Sequence, residues 1–451
     1  MTSVLRDPDR TNTAFMTQRA WWLVGLNLLV PGAAQVLAGN RRLGRFGLGS
    51  TLVLWVLVVV GIALSVFARG LLLDIATNTW VLGGAVVLLL FYAVLWIVLT
   101  LDTLRLVRLV RVAPAARAFV AGLSVVALAA VSGTAAYGAV SAGAGIDLLD
   151  TVFAQGPSQP PIDGRYNILL LGGDAGPDRQ GMRPDSISVA SVDAETGQVT
   201  LIGIPRNLEQ VPFVEGSPMY EVLPDGYTCG SKCIIDYLYT YGELDWAYLY
   251  PDAAEHNSSP GIEAMRDAVQ GVLGITIPYY VLIDMQGFSD LIDAMGGIDI
   301  TVDARVPFGA NENPDGSPRT EPDGWFEVGE HHMDGPTALT YTRTRYATSD
   351  YERMQRQRQV QEAILQQFTP GTVLTHFVDI AAAGKEVVRT DIPKQMLSYF
   401  VQLAGKSKSQ PVVSYDLTPP EVDPASPNFD EIRAKVHELL WPPDATEAPA
   451  G

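Results

Sequence analysis

Hydrophobic positions fall along this chain in two regimes. Up to about residue 145 they run almost without interruption, and Leu52–Phe67, Trp80–Thr100 and Phe119–Val140 are apolar stretches close to the ~20 residues a helix needs to cross a bilayer core. They predict three transmembrane helices, near 50–67, 80–100 and 119–140, with Gly and Ala spaced through them as in helices that pack within lipid. An earlier stretch, Trp21–Ala38, is split by Pro31-Gly32 and carries the polar Asn27 and Gln35. It reads either as a kinked span or as a re-entrant hairpin, because broken backbone at membrane depth has to be buried in protein.

Beyond residue 145 the apolar runs shorten and alternate with turn residues. The Pro, Gly and Ser of 154–165 mark a linker over 146–165. Tyr166–Gly172, Ile187–Asp193 and Gln198–Ile204 predict strands, the last two joined by a hairpin turn at 194–197. Gly261–Leu273 has helical spacing with Ile262, Met265, Val269 and Leu273 on one stripe. A strand at Tyr279–Asp284, a helix at Gly287–Met295 and a strand at Ile298–Val302 follow, then a polar loop at Asn311–Gly324 that reads as mobile. Asp334 is placed to cap a helix to Tyr341, and Ser349 one from Asp350 to Phe368. A helix at Lys394–Ala404, a strand at Val412–Tyr415 and a helix at Phe429–Leu440 complete the domain, leaving 441–451 as a disordered tail. Strands and helices so mixed predict an α/β domain over 166–440, a mixed central sheet covered by helices on both faces. It follows the α-helical membrane block of 1–145.

Charge divides the chain at the same place. Residues 1–145 hold eleven Arg, no Lys and four Asp, a balance of +7; the remainder holds 31−11 = 20 basic and 49−4 = 45 acidic residues, a balance of −25. Arg41, Arg42 and Arg45 precede the first firm span, and Arg105, Arg108, Arg111 and Arg117 precede the last. Both loops are therefore expected in the cytoplasm, so that the last helix delivers the domain outside. This predicts a multi-pass plasma-membrane protein with an extracytoplasmic domain, and no leader-cleavage pattern at the start argues against retaining the block as an anchor. The N-terminus lies outside if 21–38 crosses fully and inside if it re-enters. A domain of −25 excludes general nucleic-acid binding. Cys229 and Cys233, four apart in an oxidising compartment, are expected to close a small disulfide loop, two separate thiols being the alternative.

Against that acidic background, clustered arginines need a local reason. Asn167–Asn207 places Asp174, Asp185, Arg183 and Arg206 at the ends of short apolar strands, and Gly172-Gly173 lets the chain turn sharply before Asp174. Arg343, Arg345, Asp350, Arg353, Arg356 and Gln357 gather downstream. On a helix, Asp350, Arg353 and Gln357 fall within about 60° of arc. Carboxylates able to hold a hard divalent cation beside many guanidiniums suit a pyrophosphate. Each arginine alone also reads as a surface residue paired with a nearby acid, and the downstream helix alone as a solvated charged helix.

The blocks NILLLGGD, RPDSISVASVD and VTLIGIPRN, followed by YTRTR and DYERMQRQ, closely resemble those of the LytR–CpsA–Psr family of cell-wall ligases. The similarity covers about 166–368, with a looser continuation to about 440. The resemblance implies a domain whose sheet and helices enclose a hydrophobic pocket for a prenyl chain. It implies a phosphotransferase that moves a glycopolymer, phosphate included, from a polyprenyl-pyrophosphate carrier to a hydroxyl of peptidoglycan. By position it makes Asp174 and Asp185 ligands of Mg²⁺ (or Mn²⁺), and Arg183, Arg206, Arg343, Arg345 and Arg353, with Gln357, pyrophosphate-binding residues. Asp174, Asp185, Arg206 and Asp350 are then the catalytic set. Two positions depart from the family pattern: Asn207 where Asp usually follows the Pro-Arg pair, and Gly203 where Ser is frequent, a change of little expected consequence. The general base is left open between Asp350 and the metal aspartates. A non-catalytic sensor of lipid pyrophosphates and a lipid-pyrophosphate hydrolase are the competing readings.

Overall fold

The computed structural model describes residues 6, 8–9, 11–68, 71–72, 75, 78–154, 158–174, 183–309, 321–367, 388–408 and 410–442, apart from the side chains of Leu148 and Asp174. Most of the expected polar loop at 311–324, Phe368 and the tail beyond 442 lie outside the described residues.

Two units divide the chain, Met1–Ile146 and Asp147–Gly451. The first contains α1 (Thr13–Leu29), α2 (Ala33–Ala38), α3 (Arg41–Phe67), α4 (Thr79–Val107) and most of α5 (Pro114–Val152). Among the described residues three helices are long and apolar enough to cross a membrane, Arg41–Phe67, Thr79–Arg111 and Pro114–Val152. The helices outrun the apolar stretches because their Arg-bearing ends continue the same backbone hydrogen bonding. The interrupted segment folds back on itself. Arg19 donates to the Leu106 carbonyl at 2.8 Å, Asn27 to Thr100 Oγ1 at 3.1 Å, and Gln35 to the Leu99 carbonyl and Thr103 at 2.8 and 2.9 Å. Gly39 then lies against the Leu106 side chain. The chain thus leaves the level of Leu106 and returns to it, turning at Pro31-Gly32, where Gly32 has φ 95° and its Cα faces the backbone of α3. Asn27 and Gln35 are buried in protein.

In the second unit the expected linker is shorter than predicted. Residues through Val152 remain helical, with Leu149 and Val152 buried, and Ala154 pairs with Pro393. The apolar spacing of IDLLDTV is enough to continue the helix past Ile146. Among the described residues ten strands follow: β1 (Arg165–Asp174), β2 (Arg183–Asp193), β3 (Val199–Ile204), β4 (Tyr279–Asp284), β5 (Ile298–Val302), β6 (Val306–Phe308), β7 (Gly324–Phe326), β8 (Gly329–Met333), β9 (Val388–Thr390) and β10 (Val413–Asp416). The main sheet has the order β10-β3-β2-β1-β4-β9. It is mixed: β1 pairs antiparallel with β2 and parallel with β4, and β10 runs parallel to β3. The helices are α6 (Tyr237–Leu244), α7 (Pro260–Leu273), α8 (Met285–Ala294), α9 (Gly335–Arg343), α10 (Asp350–Gln367), α11 (Leu397–Ser407) and α12 (Phe429–Leu440).

Period-two alternation gives the sheet two apolar faces. Leu169, Leu171, Ile187, Val189, Ile202 and Ile204 pack on α7 and α12. On the other face Ala190 and Leu201 meet Leu365 of α10, while Tyr166 and Tyr279 meet Leu403 and Phe400 of α11. Helices therefore cover both faces, as expected. The start of α10 is fixed by a capping box: Ser349 Oγ accepts from the Glu352 amide, and Glu352 reaches back to the Ser349 amide. At the far end, Trp441 is not part of a frayed tail; its indole N–H donates to the Asp163 carbonyl at 2.9 Å.

Candidate functional site

The site forms where β1 ends. A bulge between Gly172 and Gly173 shifts the register, and Asp174 is then paired across the ladder with Arg183, the first residue of β2. Asp185 follows on β2, and Arg206 follows Pro205 just beyond β3, its neighbour in the sheet. Adjacent antiparallel strands thus bring together residues 21 apart in sequence: Arg206 Nη1 lies 2.6 Å from Asp185 Oδ1.

The other side of Arg206 meets α10. Its Nε donates to Asp350 Oδ2 at 2.9 Å. Arg345 and Arg353 each come within 3.7 Å of Asp350 Oδ1, and Arg353 also donates to the Asp185 carbonyl at 3.3 Å. One carboxylate at the N-terminus of a helix therefore holds three guanidiniums. Burial alone would raise Asp350, but Arg353, Arg206 and Arg345 outweigh it and hold the carboxyl below its usual range. Arg206 mirrors this: burial opposes its charge, yet Asp350 and then Asp185 raise it above the ordinary arginine value. Arg353 is the opposite case. It is buried, and desolvation lowers it despite Asp350. Its Nε is buried without a hydrogen-bond partner.

Arg183 joins from the β2 side, its guanidinium carbon 4.6 Å over the Tyr237 ring. Gln357 lines a narrow cleft between α10 and the β2–β3 ends together with Asp185, Met354 and Gly203. Arg343 lies on the exposed last turn of α9, two residues before Arg345. Arg356 does not belong to the anion site. It is buried and donates to the carbonyls of Tyr341 and Thr344, so it holds the α9–α10 turn in shape.

Asp236 is a site residue that sequence reasoning missed. Its amide donates to the Arg206 carbonyl at 3.3 Å, so backbone pairing places it beside the arginines. It is only 4% exposed and its Oδ1 has no partner. Burial pushes the carboxyl up to about 6; nearby Asp185 adds to the rise, and Arg206 and Arg183 offset only part of it. The signal in the sequence was faint: a single acid set between Ile234-Ile235 and a run of aromatics, where a solvated Asp is out of place. Asn207 also carries a buried side-chain oxygen without a partner.

Gly203 proves to be more than a minor departure. A β-carbon there would collide with Asp416 Oδ1 and the Arg358 guanidinium, which form a 2.7 Å ion pair joining α10 to β10. The missing side chain makes room for that pair.

A divalent cation fits this donor set in kind. Magnesium is held through one or two carboxylates with phosphate oxygens and waters, and Asp185 supplies such an oxygen at the anion site. Among the described residues no group of three His, Cys, Asp or Glu side chains is arranged to hold a metal by itself. Cys229 and Cys233 are disulfide-bonded, with Cα atoms 5.1 Å apart.

Clustered arginines at the strand ends of a mixed sheet, in a chain whose described residues include three membrane-length helices, define an α/β protein with a guanidinium-rich site. The chain belongs to the LytR–CpsA–Psr family, whose model matches residues 150–423. It is 27% identical over 237 residues to the polyisoprenyl-teichoic acid–peptidoglycan teichoic acid transferase TagU of Bacillus cereus, covering 51% of this chain and 62% of that one. With the TagU of Enterococcus faecalis it is 29% identical over 233 residues, 50% of this chain and 61% of that one. The match thus spans about three fifths of those relatives' length. Solved structures that the chain matches include TagV of B. subtilis (TM-score 0.43, 23% identity, 62% of this chain and 98% of that one) and TagT bound to LIIa-WTA (TM-score 0.41, 21% identity, 63% and 94%).

Proposed function

We propose that this chain is a membrane-anchored phosphotransferase that moves a glycopolymer, with its phosphate, from a polyprenyl-pyrophosphate carrier to a hydroxyl of peptidoglycan. The observation that carries this reading is the convergence of Arg206, Arg345 and Arg353 on Asp350 beside Asp185. Three guanidiniums on one carboxylate leave net positive charge and spare donors, the arrangement a pyrophosphate fills bidentately. The teichoic acid transferase activity for which the TagU relatives are named agrees with it. The half-buried strip of Leu170, Val281 and Ile283, beside Gly172 and leading to the same strand ends, offers an apolar path for a prenyl chain.

In this reading the acceptor oxygen attacks the phosphorus nearer the glycopolymer, the bond from that phosphorus to the bridging oxygen breaks, and polyprenyl monophosphate leaves. Phosphoryl transfer of this kind rests on positioning and charge stabilisation. Arg206, Arg345 and Arg353 bind the head group and stabilise charge on the leaving phosphate. Asp350, held ionised by its three arginines, orients them and is a poor base. Asp236 is the better proton acceptor, because its unpartnered oxygen retains proton affinity near neutrality. Asp174 and Asp185 would hold Mg²⁺ or Mn²⁺, which supplies Lewis-acid neutralisation of the pyrophosphate when bound. Arginine-rich loops read as cytoplasmic support a domain outside the cell, and a hairpin at 21–38 that does not cross supports an N-terminus inside.

The test is reconstitution of the full chain with a polyprenyl-pyrophosphate-linked glycopolymer and peptidoglycan. Covalent attachment with release of polyprenyl monophosphate is expected. Free glycopolymer without attachment would identify a hydrolase, and tight binding without turnover a sensor.

A further inference from the structure

A row of aromatic rings leads away from the arginine site. It begins at Tyr237, the first residue of α6, which lies under Arg183. One turn on, the Tyr241 ring is 6.4 Å from Tyr237, and Trp246 follows 5.2 Å from Tyr241 at a tilt of 36°. Tyr227 is buried 6.3 Å from Tyr241 and forms the floor. The upper rings face solvent: Tyr241 is 38% exposed, Tyr237 and Trp246 are half-buried, and Leu244 and Tyr248 are exposed in the same short segment.

Several features hold the row in place. The opposite side of α6 is pressed onto α7, where Gly242 has no room for a β-carbon against Ala264 and Gly261. The Cys229–Cys233 bridge fixes the chain between Tyr227 and α6. The Trp246 amide donates to the Tyr241 carbonyl at 2.9 Å. Such rings, anchored by Tyr237 and Trp246 at the edge of the core and part-exposed on their outer side, present apolar faces with polar edges. That is the complement of a pyranose, whose C–H faces are apolar and whose rim carries hydroxyls.

Charge selects between the two saccharides the reaction would involve. Apart from the buried Asp236, residues 225–255 hold five acids, Asp225, Glu243, Asp245, Asp252 and Glu255, against Lys232 alone. A polyanionic glycopolymer is repelled by such a surface, whereas an uncharged glycan backbone is not. We infer that the Tyr237–Tyr241–Trp246 row is the acceptor subsite, seating the glycan strand of peptidoglycan so that a sugar hydroxyl reaches the phosphorus held by the arginines. This inference rests on the transferase reading and assigns its second substrate a place.

The experiment uses the full chain in detergent with two probes: peptide-free peptidoglycan oligosaccharide, and polyprenyl pyrophosphate bearing no sugar. Calorimetry measures each affinity for the wild type, Tyr241→Ala, Trp246→Ala, and the ring-preserving Tyr241→Phe and Trp246→Phe. The alanine variants should bind the oligosaccharide about tenfold more weakly and polyprenyl pyrophosphate unchanged, and the phenylalanine variants should stay near wild type. Unchanged oligosaccharide affinity in the alanine variants, or none in the wild type, overturns the inference. So does a rise in KM for the glycopolymer donor with the acceptor KM unmoved. Failure of the wild type to bind polyprenyl pyrophosphate would instead count against the transferase reading. Should an alanine variant lose both ligands through misfolding, Tyr241→Leu, which keeps bulk without a ring, takes its place and must show the selective loss.

Discussion

At the scale of single residues, Arg206 and Asp236 carry the sharpest expectations. Arg206 reaches Asp350 through Nε and Asp185 through Nη1, a span that one ammonium group cannot reproduce. Arg206→Ala should lower transfer by about 10²–10³, the order lost when one preorganised charge donor is removed, and Arg206→Lys should recover only part of it in the reconstituted assay. Asp236 governs a pH dependence. Its folded pKa, about 6, lies above the ordinary aspartate value of 3.8, so its stabilising contribution is complete below pH 3.8 and is lost as pH rises through 6. Above that pH the ionised group burdens the fold by up to about 3 kcal/mol. Asp236→Asn should therefore unfold at a higher temperature than wild type at pH 7.5, and the gain should vanish near pH 4. Its transfer rate should fall at every pH. A stability difference independent of pH would show that Asp236 does not titrate in the fold.

At the scale of elements, strands and amphipathic helices were legible wherever periodicity was long enough to read. Tyr279–Asp284, Ile298–Val302 and Phe429–Leu440 have the predicted limits, because each alternates cleanly or carries a stripe between turn residues. Helix α6 was not legible. Its eight residues, YLYTYGEL, are aromatic and contain Gly242, so neither propensity nor period marks a helix, and packing on α7 decides. β9 has three residues at a sheet edge, too few for any alternation. The site motifs were readable as strand ends, but their geometry was not: that Arg345 and Arg353 meet Arg206 on one carboxylate depends on how α10 lies across β2 and β3. Asp236 was missed because proximity to Arg206 comes from non-local backbone pairing. Gly203 gives the element-scale prediction. Gly203→Ala should cost about 1–3 kcal/mol by overpacking against the Arg358–Asp416 pair, read as a lower unfolding temperature of the full chain.

At the scale of the whole molecule, two opposed charge regimes share one chain, +7 over residues 1–145 and −25 beyond. The arginine loops predict where the acidic unit resides. Alkaline phosphatase fused after Gly164 should be active, and a reporter that works only in the cytoplasm should be silent at the same position. The reverse result would place the domain away from peptidoglycan and remove the transferase reading with it. Metal dependence is the companion test: chelation should abolish transfer, and Mg²⁺ or Mn²⁺ should restore it, while the disulfide-bonded fold is unaffected.

The pairing of Arg358 with Asp416 over Gly203 has a consequence for how such chains can diverge. Three positions separated by up to 213 residues share one small volume, so a change at one bears on the other two. A relative with a side chain at the position of Gly203 should lack one or both members of the ion pair, and a relative keeping the pair should keep glycine. The substitution history of α10, β3 and β10 should then read as a single three-part character, inherited or exchanged together.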